Sequence, residues 1–126
     1  MKILAFLLLF SSLTVEAANV TGAKIDSSGN NILVDVVYGG GCAIHHFSLK
    51  LGFCARGRDH LKCSAYLHEE IEGGVDMCEA IRNETAVINI KENGLEEYRG
   101  SKFTIYGDRS FNGTQTSVEV WIPRKN

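Results

Sequence analysis

Two short segments of the chain combine histidine, acidic and cysteine residues: 39–49 (GGGCAIHHFSL) and 67–80 (LHEEIEGGVDMCEA). A disulfide between Cys42 and Cys78 would bring His45 and Asp76 together, because they lie three and two residues from its ends. Two imidazoles and a carboxylate can hold zinc or another transition metal with one position open, and water bound there ionises near neutral pH. The spacing therefore suggests a metal site, or the site of a metal-dependent hydrolase, formed by His45, His68 and Asp76, with Glu79 beside them.

A structural role for the same residues is the interpretation we favour. A strand histidine beside a disulfide commonly hydrogen-bonds a carboxylate, and Asp76 can cap the glycine-containing turn that precedes it. The sequence contains no HExxH motif, and it identifies no residue that would orient a ligating histidine. We therefore assign no catalytic residue and no cofactor, and we keep the metal site as the alternative.

Two other metal sites use overlapping residues. A closed zinc site would take four ligands of suitable type, namely Cys42, His45, His68 and Cys78, but an oxidising compartment favours the disulfide. A calcium site would use the acidic loop, namely Glu69, Glu70, Glu72 and Asp76, which lacks the spacing of an EF-hand. For that loop we favour a solvated charged surface.

Other enzyme classes lack their signatures. The chain has no G-x-S-x-G elbow, phosphate-binding glycine loop or dinucleotide fingerprint. Its four cysteines, Cys42, Cys54, Cys63 and Cys78, pair without leaving a free thiol for nucleophilic catalysis. Of the three possible pairings we favour Cys54–Cys63 nested within Cys42–Cys78. The sequence thus favours a protein that is not an enzyme.

The elements that must position these residues follow an alternating, strand-like pattern. We predict an all-β, seven-stranded antiparallel sandwich whose strands cover residues 20–26, 32–38, 43–53, 62–69, 85–91, 101–106 and 116–122. One helical turn is expected within residues 92–100. In the third strand, the alternation directs one set of side chains to the core, with His46 facing solvent: His45, Phe47, Leu49, Leu51 and Phe53.

The N-terminus has the features of a cleavable signal peptide. One lysine precedes an apolar run, ILAFLLLF, that is too short to span a bilayer, and Ala17 lies before the expected cleavage point. Residues 18–126 then form a single disulfide-stapled domain, secreted or periplasmic, without membrane insertion after cleavage.

A basic loop between Cys54 and Cys63 offers a partner-binding surface formed by Arg56, Arg58, His60 and Lys62. A disulfide would pre-organise this loop and reduce the entropy lost on binding an acidic partner or on entering a protease pocket as an inhibitor. For the loop taken by itself, an ordinary solvated hairpin tip is the interpretation we favour. Trp121 could anchor a partner if its ring is exposed. The net charge of −2 does not fit nucleic-acid binding. We therefore expect an exported binding or structural module with a protein or cell-envelope partner.

The two chemistry-bearing segments also resemble a family of small exported bacterial domains of uncharacterised activity. The matching pattern is G-G-G-C-x-x-H-x-F-x-L, followed by a histidine, an acidic loop and D-x-C-E-A. Here it is carried by Gly39–Gly41, Cys42, His45, Phe47 and Leu49, and then by His68, Asp76, Cys78, Glu79 and Ala80. Cys54 and Cys63 are additions to that pattern. The resemblance implies a β-rich exported domain.

Overall fold

The computed structural model describes residues 18–109 and 114–125, which form seven strands in two sheets. The strands are β1 (Asn19–Ile25), β2 (Asn31–Gly40), β3 (His45–Arg56), β4 (Leu61–Ile71), β5 (Ala80–Asn89), β6 (Lys102–Arg109) and β7 (Gln115–Trp121). A 3-10 turn, Glu96–Tyr98, precedes β6 in the region where one helical turn is expected. The all-β sandwich prediction is confirmed, whereas the predicted signal peptide, residues 1–17, lies outside the described residues.

The strands are arranged as a three-stranded sheet, β1-β2-β5, and a four-stranded sheet, β3-β4-β6-β7. All strand pairs but one are antiparallel, as predicted, and the exception is the parallel pair β4–β6. After β4 the chain leaves the four-stranded sheet to form β5 in the other sheet. It then returns to the four-stranded sheet running in the direction of β4, so β6 can pair with β4 only in parallel.

The core lies between the two sheets and is formed by alternate residues of each strand. In β2 the buried face is made by Ile32, Val34, Val36 and Tyr38, as the period-two pattern predicts. The facing sheet contributes Phe103 and Ile105 from β6 and Ala65 and Leu67 from β4. Burial of these apolar side chains between the sheets is the main stabilising contribution.

A bulge in β3 overturns part of the predicted inward face. Leu51 pairs with Ala65 and Cys54 with Cys63, so two residues of β3 lie opposite Ser64 alone. The prediction that Phe53 faces the core is wrong, since Phe53 is 73% exposed. Leu51, which precedes the bulge and pairs with buried Ala65, is on the inner face but is 36% exposed at its margin. Gly52 leaves room for the Tyr66 ring, because a Cβ at position 52 would overlap the nearest atoms of that ring.

The two disulfides have the favoured nested pairing. Cys54–Cys63 links directly opposed residues of β3 and β4, and Cys42–Cys78 links the segments that lead into β3 and β5. Such bonds are consistent with an oxidising compartment. Within the described residues, no helix has the length and apolar character needed to cross a membrane.

The two flanks of the sandwich differ. On one flank β1 lies against β7, where the Val20 N–H donates to Thr116 Oγ1 at 2.9 Å. At the same flank the Asp108 N–H of β6 donates to the carbonyl of Ala18, which precedes β1, at 2.9 Å. On the other flank, β3 and β5 are the edge strands of their sheets. The residues of the predicted metal site lie near this second flank.

Candidate functional site

His45, the first residue of β3, lies between two carboxylates. Its Nδ1 is 2.5 Å from Glu69 Oε2 and its Nε2 is 2.6 Å from Asp76 Oδ2. The side chain is 1% exposed, and its ring centroid is 4.4 Å from that of Tyr38. Only the imidazolium form carries a proton on both nitrogens, so this geometry fits a charged His45 that donates to both carboxylates.

Asp76 joins the His45 side chain to the corner between β2 and β3. Its carboxylate accepts hydrogen bonds at 3.0–3.3 Å from four backbone N–H groups, those of Gly41, Cys42, Ala43 and Cys78. Gly40 is required beside it, because a Cβ there would lie 2.8 Å from His45 Nε2 and closer still to the Asp76 carboxylate. Asp76 therefore fastens the loop before β5 onto the glycine-containing corner, next to the Cys42–Cys78 disulfide.

The electrostatics of this cluster favour the charged forms. Burial alone would lower the pKa of His45, but the hydrogen bonds and charges of Asp76 and Glu69 outweigh it and raise the pKa above its usual value. The hydrogen bond from His45, supported by the backbone N–H groups, holds the pKa of Asp76 well below its usual range. The cluster is thus an ion-paired network in which the side chains of His45 and Asp76 are buried and hydrogen-bonded, an arrangement consistent with a structural role.

The third predicted ligand, His68, does not join His45 and Asp76. His68 lies on the outer face of β4, where Nε2 is 3.5 Å from Glu70 Oε1. Glu69, one residue later, lies on the inner face and occupies the place expected for His68. Sequence reasoning did not pair Glu69 with His45. Glu69 nevertheless follows the buried Ala65 and Leu67 at the same two-residue spacing, which indicates an inward direction.

The acidic and sulfur groups proposed as metal ligands already have other partners. Donor atoms of Cys42, Asp76 and Cys78 lie within 4.8 Å of one another, but both sulfurs belong to the disulfide and cannot bind as thiolates. Each carboxylate of the acidic loop faces an imidazole: Glu69 and Asp76 face His45, Glu70 faces His68 and Glu72 faces His46. In this arrangement His68 lies apart from His45 and Asp76, and the predicted zinc and calcium sites stay predictions.

A second cluster lies at the opposite end of the β3–β4 hairpin. The hairpin closes at Arg58-Asp59, where the Gly57 N–H donates to the His60 carbonyl at 2.8 Å. The His60 ring packs against Trp121 of β7 with the ring centroids 4.5 Å apart. Its Nε2 is shielded from solvent and has no hydrogen-bond partner among the described residues. The disulfide-closed loop and Trp121, considered separately in the sequence, are therefore in contact.

Lysines extend this cluster across the outer face of the four-stranded sheet. Lys62 pairs with Lys102 in the ladder, and Lys102 pairs with Trp121. Lys102 Nζ lies 5.9 Å from the Trp121 ring centroid and forms an ion pair with Glu119. Trp121 is nevertheless 51% exposed. A cation near a half-exposed indole ring is a favourable arrangement that leaves the ring available to a partner.

The four basic residues predicted to bind a partner do not share one face. Strand alternation places His60 and Lys62 on the Trp121 side, and Arg58 lies at the hairpin tip. Arg56 pairs with Leu61 and so lies on the other face of the hairpin. Farther along the outer face, Tyr66 and Tyr106 stack with centroids 5.4 Å apart.

Comparison with known proteins found no matching family model, no similar curated protein and no similar solved structure. The resemblance of the two motifs to exported bacterial domains therefore stays a prediction.

Proposed function

We propose that this chain is an exported binding module that recognises an acidic polypeptide segment through the hairpin tip and the adjoining outer face. We call this the basic–aromatic surface and define it by Arg58, His60, Lys62, Lys102 and Trp121. The observation that carries the proposal is the packing of His60 against Trp121, which joins a disulfide-closed basic loop to an exposed aromatic ring.

The charge of this surface favours an anionic partner. Arg58, Lys62 and Lys102 outnumber the neighbouring Asp59 and Glu119, whereas the chain as a whole has a net charge of −2. A local positive patch on a weakly negative protein attracts and orients an acidic partner and repels basic ones.

The shape and composition of the surface favour a polypeptide partner. Tryptophan and arginine are the residues most enriched among those that dominate protein–protein binding energies. The Cys54–Cys63 disulfide and the turn hydrogen bond at Gly57 hold the loop in one conformation before binding, which reduces the entropy lost on association.

Trp121 is the only tryptophan of the chain, so its fluorescence reports on this surface directly. We expect titration with a polyglutamate peptide at low salt to change its emission saturably, and the affinity to fall as salt screens the charges. Lys62→Ala and Lys102→Ala should each weaken binding about two- to fivefold, as expected for exposed charge pairs. Arg56→Ala is the matched control and should leave the affinity unchanged, because Arg56 lies on the other face.

Three outcomes would contradict this proposal. The first is an emission spectrum that polyglutamate does not change, and the second is a loss of affinity in Arg56→Ala as large as that in Lys62→Ala. The third is binding of heparin without binding of polyglutamate, which would assign the surface to an anionic polysaccharide.

A further inference from the structure

We propose that the free edge of β5 pairs antiparallel with β5 of a second copy of this chain, which makes a weak two-fold symmetric dimer. The pairing is centred on Asn83 and joins the two three-stranded sheets into one six-stranded sheet. This interaction does not use the basic–aromatic surface, and it does not depend on the function proposed for that surface.

The first observation is that β5 is an edge strand with a regular, solvent-exposed stretch at residues 80–85. The edges of β1 and β7 lie against each other, and β3 carries a bulge and receives Asn93 Oδ1 on its Leu49 N–H at 3.0 Å. In contrast, residues 80–85 of β5 are all exposed, contain no proline, glycine or lysine, and pair with β2 without a register shift. Proteins usually protect long regular edges with such devices, because an open edge invites another strand.

The second observation is that the sequence of this edge is complementary to itself. In an antiparallel pair centred on Asn83, Arg82 lies opposite Glu84 of the second copy, and Glu84 lies opposite Arg82 of the second copy. On the other face, Ile81 lies opposite Thr85 of the second copy, a pair of β-branched side chains. Opposite charges and β-branched pairs placed directly across from each other stabilise antiparallel strands.

The third observation is that the two charged side chains share one face of β5, as this pairing needs. The Tyr38 hydroxyl donates to Glu84 Oε2 at 3.2 Å, and Arg82 also interacts with Tyr38. Both therefore lie on the same face of β5, at the flank where the sandwich is open. A two-fold axis through Asn83 forms both ion pairs at once, as an isologous interface requires.

The interface is small, so the dimer should be weak. Pairing of about six residues per copy buries less area than a standard stable interface, which corresponds to a dissociation constant between about 1 µM and about 1 mM. Sedimentation equilibrium of residues 18–126 over this range should show a reversible monomer–dimer equilibrium.

Charge reversal tests the register. Arg82→Glu and Glu84→Arg should each weaken the dimer by about tenfold or more, because two attractive pairs become repulsive, and the double variant should restore it. Lys24→Glu is the control, since it makes the same charge change as Arg82→Glu on an exposed position of β1, away from the β5 edge, and it should dimerise like the unaltered protein.

Hydrogen exchange provides a readout that needs no variant. Amides of residues 80–85 should become more protected as protein concentration rises, whereas the amides of β7 should not. A monomer at all concentrations up to about 1 mM would overturn the proposal. So would a dimer that is insensitive to both single reversals, a double reversal that does not restore dimerisation, or β5 protection that is independent of concentration.

Discussion

At the residue scale, His45 is held more tightly than any other histidine of the described residues. Its imidazolium is buried between Glu69 and Asp76, while His46 and His68 form exposed pairs with Glu72 and Glu70. A buried charge that loses its partner is costly, whereas an exposed ion pair contributes little. His45 should therefore differ sharply from His46 and His68 in its effect on stability.

We expect His45→Gln to lower the free energy of unfolding by about 3–5 kcal/mol, because it leaves two buried carboxylates facing a neutral side chain. His68→Gln is the matched control and should cost less than about 1 kcal/mol. Urea denaturation followed by circular dichroism measures both. Equal losses of unfolding free energy in the two variants would contradict the placement of His45 in the buried cluster and of His68 outside it.

At the element scale, the β3–β4 hairpin connects the two clusters. Its open end carries His45 and Glu69, and its closed end carries the basic loop with Cys54–Cys63. The Cys42–Cys78 disulfide joins the segment before β3 to the segment before β5, next to Asp76. The two disulfides thus support different parts of the molecule, and their removal should have separable consequences.

Replacing Cys42 and Cys78 by serine should lower the free energy of unfolding by about 4 kcal/mol, and replacing Cys54 and Cys63 by about 3 kcal/mol. The difference follows from the sequence separations of 36 and 9 residues, since a longer loop loses more entropy when it is closed. Denaturant unfolding of the two double variants measures it.

The two double variants should also differ in function. Only the second should weaken polyglutamate binding, because only Cys54–Cys63 pre-organises the basic loop. A loss of binding confined to the variant without Cys42 and Cys78 would place the binding site at the other end of the hairpin.

At the scale of the whole molecule, folding stability should depend on pH through a few groups whose pKa values the fold shifts. The pKa of Asp76 is lowered by His45 and by backbone N–H groups, and that of Asp26 is lowered to about 2 by hydrogen bonds from Asn31 and Ser28. The raised pKa of His45 makes stability depend on pH on the alkaline side.

Stability should be highest at pH values between the titrations of Asp26 and Asp76 on the acidic side and the titration of His45 on the alkaline side. A carboxyl with a lowered pKa contributes stability that is present above its usual value of 3.8 and is lost as the pH falls toward the folded value. A histidine with a raised pKa contributes stability that is complete below its usual value of 6.5 and is lost as the pH rises through the folded value. Thermal unfolding measured across pH should therefore show a plateau with two declining sides.

The alkaline decline that begins above the usual histidine value of 6.5 belongs to His45, because the raised pKa of Tyr38 acts only above its usual value of 10.0. His45→Gln should therefore remove that decline while the acidic decline from Asp26 remains. His46→Gln is the control, because it removes only an exposed ion pair with Glu72, which contributes little to stability. An alkaline decline that persists in His45→Gln would assign that titration to another group.

The sequence by itself determined the all-β class, the approximate strand positions, and the contrast between buried His45 and exposed His46. These features follow from period-two alternation, which is a local property of each strand. It also indicated that His45 and Asp76 meet, because the Cys42–Cys78 pairing brings distant segments together.

Only the tertiary structure decided which residues complete each cluster. The choice of Glu69 over His68, the β3 bulge that exposes Phe53, the parallel pairing of β4 with β6, and the contact of His60 with Trp121 all depend on which strands become neighbours and in what register. A shift of one residue in register exchanges the two faces of a strand, so alternation alone cannot specify contacts between strands. Those contacts are decided when the two sheets pack and the inner face of each strand is buried.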